Sequence, residues 1–226
     1  MIGVREFARR VAVPTAAIWV LESKVQGAVR SRLAKLRGLE SRAELFVGLG
    51  DPYAPLALAV MAEVVDERRV DYQVYPVFRY GASPKDHEPM RRRYAVLDAR
   101  RLAARRGIVM NHDQPIDVDR VETLTYWVEA ARVHGKHRAL LARLVTRLWA
   151  EHALPDYGEL YAIYQQEVGA PPPRNLLTAR HRVRQNEARL RRRGLWSSSS
   201  LWLEGKTFFA HERRGQIDDY LEELGA

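Results

Sequence analysis

The sequence predicts an α/β protein whose sheet is assembled from two separated parts of the chain, with a helical domain inserted between them. Three observations carry this reading. Residues 44–60, ELFVGLGDPYAPLALAV, run from an apolar strand through a glycine-broken turn into an apolar helix. Segments between residues 90 and 193 place apolar side chains three and four positions apart, the period of packed helices. Near the C-terminus, Leu201–Leu203 and residues 207–209 flank Glu204-Gly205-Lys206, a hairpin signature.

Taken in order, residues 1–40 read as a helical extension, with Val25, Val29, Leu33 and Leu36 on one side and Arg or Lys between them. Packing on the domain is the expected role; a dimer contact or a membrane-surface helix are the alternatives, and a homodimer is compatible. Arg9-Arg10 before a short apolar run superficially resemble a signal peptide, but Glu6, Pro14 and the lack of a small-residue cleavage site argue against one. A cytoplasmic protein with no membrane partner is expected. Asp51 is a good helix N-cap, and Pro52 suits the first helical position. Residues 70–80, VDYQVYPVFRY, alternate as a second strand, with Pro76 marking a bulge or its end. Residues 90–106 form a basic helix with Tyr94, Leu97 and Leu102 facing inward, closed by Gly107.

Residues 118–152 carry two apolar stripes separated by Gly135, hence two helices. Residues 156–168 form a short helix, and the prolines 171–173 break the chain. Residues 175–193 are a helix ending in three arginines, and residues 215–224 a C-terminal helix. The order is therefore β-α-β-α, a helical block, then β-β-α. It divides the chain into an extension (1–41), a sheet domain (42–115 and 195–226) and an inserted helical domain (116–194).

Composition bounds the chemistry. The 226 residues contain no Cys, which excludes disulfides, thiolate metal sites and dithiol exchange within this chain. The histidines at 87, 112, 134, 137, 152, 181 and 211 show no ligand spacing, so no metal is expected. A net charge of +9 allows polyanion contact. Stacking aromatics are sparse in the arginine-rich helices, which makes nucleic acid the weakest of the partner classes considered.

Four stretches in this order resemble a known group: ELFVGLGDPYAPL, MRRRYAVLDARRLAARRGI, LWAEHALPDYGELYAIYQQEVG and RRRGLWSSSSLWLEGKTFFAHERR. They resemble the DsbA-like thioredoxin-fold superfamily, in its branch of 2-hydroxychromene-2-carboxylate isomerases and kappa-class glutathione transferases. The resemblance implies a thioredoxin-like fold with a helical domain inserted between a β-α-β-α part and a β-β-α part. It also implies glutathione as cofactor and a small organic acid as substrate. On that basis the catalytic positions are Asp51 and Tyr53, and the cofactor-binding positions are Ser198, Ser199, Glu212, Arg213 and Arg91.

The departures bear on mechanism. Asp51 stands where the resembled enzymes carry a Ser that donates a hydrogen bond to the glutathione thiolate. An ionised carboxylate only accepts, so Tyr53 is the substitute donor. Ser199 stands where thioredoxin folds carry a cis-proline, and a trans peptide is expected there because cis before a non-proline costs about 2.5–4 kcal/mol. Two roles stay open for Asp51, cap or general base. The function expected from the resemblance is a glutathione-dependent isomerase or transferase. A catalytically inactive binding or structural module is the alternative, and a dithiol oxidoreductase is excluded.

Overall fold

The computed structural model describes residues 40–78 and 88–226. The expected N-terminal helix, and the loop before the basic helix up to His87, lie outside the described residues.

Strand β1 (Ser41–Val47) leads through the glycine turn into helix α1 (Ala54–Glu67), which returns the chain to β2 (Val70–Pro76). Helix α2 (Glu88–Arg105) follows. Next come α3 (Val118–Ala130), a 3-10 turn (Ala131–His134), α4 (His137–Ala150), α5 (Tyr157–Val168) and α6 (Leu177–Arg192). The chain closes with β3 (Ser200–Leu203), β4 (Lys206–Phe209) and α7 (Arg214–Leu224). Gly135, at φ +69, breaks the long helical region where the apolar stripe shifts.

The four strands lie in the order β2-β1-β3-β4. β1 pairs parallel with β2, Leu45 opposite Val74, and antiparallel with β3, Leu45 opposite Leu201. Parallel pairing requires a crossover, which α1 supplies. β3 and β4 form the expected hairpin, with both turn residues at positive φ (Glu204 at 42, Gly205 at 101).

β1 is sandwiched, so its alternate residues belong to two cores. Ala43, Leu45 and Val47 join the large core of α1, α3, α4 and α7. Phe46 packs on the opposite face with Tyr75, Val77, Leu190, Leu195 and Trp202. On that second face Glu44 is fully buried, and its carboxylate accepts two hydrogen bonds of 2.8 Å from Arg193, with Arg42 at 3.0 Å and Arg189 at 3.7 Å. The guanidinium of Arg193 lies 3.5 Å over the Trp202 ring, so α6 is pinned across the sheet by both charge and stacking.

Two expectations need correction. α2 turns Tyr94 (63% exposed) and Leu97 (45%) outward, and buries Val96, Ala99 and Ala103 instead. Small side chains on that face let the helix sit close to its neighbours. β2, by contrast, ends at Pro76, one of the two outcomes expected of that proline. α1 begins at Ala54, two residues later than the cap at Asp51 predicts, with Pro55 in its first turn.

Candidate functional site

The corner between β1 and α1 is fixed from three sides. The Asp51 N–H donates to the Gly48 carbonyl at 3.0 Å, closing a tight turn. The Leu49 carbonyl accepts from the Trp149 indole at 3.0 Å, tying the turn to α4. A Cβ added at Gly50 would lie 2.9 Å from Val121 Cγ2, so glycine is needed here because α3 comes close.

Asp51, only 8% exposed, has both carboxylate oxygens engaged. Oδ1 accepts from the Tyr53 N–H at 3.0 Å, and the Asp51 carbonyl accepts from Ala54 N–H at 3.0 Å. Asp51 therefore caps the turn that leads into α1. Oδ2 accepts from the Ser199 hydroxyl at 2.7 Å. Ser199 is fully buried and adopts φ +54. No peptide bond among the described residues is cis, so the serine run follows the trans path expected of it. Ser198 points the other way, its hydroxyl accepting from Gly48 N–H at 2.8 Å, and so braces the corner from the bend before β3.

Tyr53 donates its hydroxyl proton to Asp98 Oδ2 on α2 at 2.8 Å. Burial raises its pKa first, followed by this hydrogen bond and the negative charges of Asp98 and Asp51, which keeps the phenol protonated. His211 stacks on the Tyr53 ring with centroids 4.2 Å apart, and its Nε2 lies 3.4 Å from Glu212. Burial lowers the His211 pKa, partly opposed by Asp51 and Glu212.

Asp51, Tyr53, Ser199 and Glu212 thus belong to one cluster, with Ser198 directly behind it. Arg213 and Arg91 stand apart. Arg213 is half exposed and sits 3.8 Å from Glu212, while Arg91 is exposed in the first turn of α2. The α2 residue that reaches the corner is Asp98, one of two residues that sequence reasoning missed. The other is His211. Asp98 lay inside a quoted motif and His211 directly before the Glu-Arg turn, so their positions were visible but not their direction.

Comparison with known proteins agrees on the architecture. No family model matches the chain, and no curated protein is similar to it in sequence. Among solved structures, it superposes on a 2-hydroxychromene-2-carboxylate isomerase with TM-score 0.66 at 13% identity, over 81% of this chain and 95% of the other. A Streptomyces coelicolor protein assigned as a DsbA oxidoreductase gives TM-score 0.63 at 14% identity, over 81% and 89%. The chain has a DsbA-like thioredoxin fold. A Nitrosomonas europaea protein assigned as a protein disulfide isomerase is similar at TM-score 0.58 and 10% identity, over 81% and 98%. Within this fold the present chain has no cysteine, and a carboxylate occupies the turn before α1. No helix among the described residues is long and apolar enough to cross a membrane.

Proposed function

We propose that this chain is a catalytically inactive thioredoxin-fold binding or structural module in which the corner before α1 is a closed polar joint. The observation that carries the proposal is the Ser199–Asp51 hydrogen bond, 2.7 Å long between two buried groups. A thiol ligand at this corner needs a hydrogen-bond donor and room. Ser199 already spends its proton on Asp51, and Tyr53 spends its own on Asp98. The His211 ring covers the face of Tyr53. A thiolate entering here would also meet the charge of the buried Asp51, with Asp98 and Glu212 close by, a costly approach.

A glutathione-dependent isomerase or transferase acting on a small organic acid is the second reading. The adjacent Pro52-Tyr53, the Glu212-Arg213 pair and the likeness to the isomerase structure favour it. It requires Tyr53 to leave Asp98 and turn to the ligand.

Thermal unfolding titrated with glutathione and S-hexylglutathione separates the two. Ligand at a hundredfold excess over its Kd stabilises by about 2.7 kcal/mol, or about 5–10 °C in a chain of this size. The closed-joint reading expects no change in Tm with either compound. A saturable gain of several degrees would overturn it in favour of the enzyme.

A further inference from the structure

We propose that the outer face of α6 binds single-stranded nucleic acid. This surface lies outside the Asp51 corner, and its test does not depend on whether that corner is closed.

The charge of the protein is unevenly distributed. Residues 40–226 hold 29 Lys+Arg against 26 Asp+Glu, close to balance. Residues 174–193 alone hold eight arginines and one glutamate, so the rest of that body is net acidic. Most arginines elsewhere are engaged: Arg214 with Glu63, Glu67 and Asp218, Arg147 with Glu159, and Arg132 with Glu129. Within residues 174–193, Arg189 and Arg193 are taken by the buried Glu44. The other six, at 174, 180, 182, 184, 191 and 192, make no side-chain ion pair or hydrogen bond with any described residue.

Their arrangement is linear. At 3.6 residues per turn, Arg180, Arg184 and Arg191 fall within about 40° of one another over about 16 Å of helix. All three are exposed, as is Arg192. A row of unpaired guanidinium groups, each able to grip phosphate oxygens with paired N–H donors, suits a chain of phosphates.

Aromatic surface lies at both ends of the row. Trp196, 62% exposed, follows the C-terminal end of α6. Its ring is held edge-on to Phe209 with centroids 5.7 Å apart, leaving indole surface available to a base. At the other end, Arg174 and Arg180 line a cleft of about 610 Å³ together with Tyr126 and Asn175. An unpaired base can stack on Trp196 whereas a paired one cannot, which favours a single strand over a duplex. A lipid surface fits less well, because the exposed large apolar residues of this face, Leu177 and Trp196, sit at opposite ends with arginines between.

The test is fluorescence anisotropy with the full chain and labelled mixed-sequence oligonucleotides of about 15 residues, as RNA and as DNA, across a salt series. A matched duplex and vesicles of anionic phospholipid serve as comparators. Single strands of one or both kinds should bind with affinity falling as salt rises, more tightly than the duplex at equal salt. Combined Arg184→Gln, Arg191→Gln and Arg192→Gln should reduce the log–log salt slope by about 2, since each phosphate contact contributes about 0.7 for single strands. The matched variant Arg93→Gln, Arg101→Gln, Arg105→Gln removes the same charge from α2 and should leave the slope nearly unchanged. Trp196→Ala should weaken binding at least about fivefold. Trp196→Phe, which preserves packing on Phe209, should abolish quenching of indole fluorescence by the oligonucleotide. The proposal is overturned by no binding, by equal losses from the two triple variants, by quenching that survives in Trp196→Phe, or by duplex binding as tight as single-strand binding. Vesicle binding that the α6 variant abolishes while oligonucleotides fail to bind would assign the face to lipid instead.

Discussion

Replacing Ser199 by alanine removes one hydroxyl and leaves Asp51 Oδ2 buried without its donor. A hydrogen bond to a charged group contributes about 1.5–3 kcal/mol, and losing it inside the fold exposes the carboxylate to its full desolvation cost. Ser199→Ala should therefore destabilise by about 2–3 kcal/mol, or about 4–12 °C in Tm. Backbone strain supplies an internal control. Ser199 sits at φ +54, a left-handed conformation that costs a non-glycine residue about 1–2 kcal/mol. Ser199→Gly loses the same hydrogen bond but relieves that strain, so it should cost clearly less than alanine. The pairwise energy comes from a double-mutant cycle with Asp51→Ala, measured by urea unfolding at pH 7. Asp51→Ala also forfeits the cap on Tyr53 N–H, but that loss cancels in the cycle. A coupling of about 1.5–3 kcal/mol is expected. A coupling below about 0.5 kcal/mol, the limit of ordinary additivity, would mean that the contact does not hold the corner closed, and the closed-joint argument would fail with it.

Two other predictions follow from the surroundings of the corner and of the sheet. Gly50→Ala places a Cβ 2.9 Å from Val121 Cγ2 and should destabilise by about 1–3 kcal/mol through overpacking, with Val121→Ala restoring part of the loss in urea unfolding. His137 should make the fold acid-sensitive: burial, then Arg132 and Arg138, push its pKa down to about 4. Its Nε2 lies 2.9 Å from an Arg132 N–H donor, which needs the neutral ring. The unfolded chain takes up this proton near 6.5 and the folded one does not, so stability is full above that pH and declines as pH falls toward 4. Because the ring is only partly buried, the loss is limited to about 1–2 kcal/mol, and His137→Gln should flatten the decline in a pH series of Tm.

The sequence alone determined the elements whose signals are local. Gly48 and Gly50 break the apolar run after β1, Gly135 separates the two apolar stripes of the long helical region, and Glu204-Gly205 makes the hairpin. The absence of cysteine settled the chemistry of thiol exchange without any structure. Tertiary structure decided the direction of α2. Its sequence offers one stripe of large residues at Tyr94 and Leu97 and another of small ones at Val96, Ala99 and Ala103, and only packing selects the small stripe for close approach. That choice carries Asp98 to Tyr53. The pairing of Ser199 with Asp51 joins residues 148 positions apart and that of Tyr53 with Asp98 joins residues 45 apart. The same holds for the arginines of α6. In sequence they are one basic run, but the buried Glu44 on a central strand takes Arg189 and Arg193 and leaves their neighbours facing outward. No local rule could have divided that run, because the carboxylate that divides it sits in β1, at the other end of the described chain.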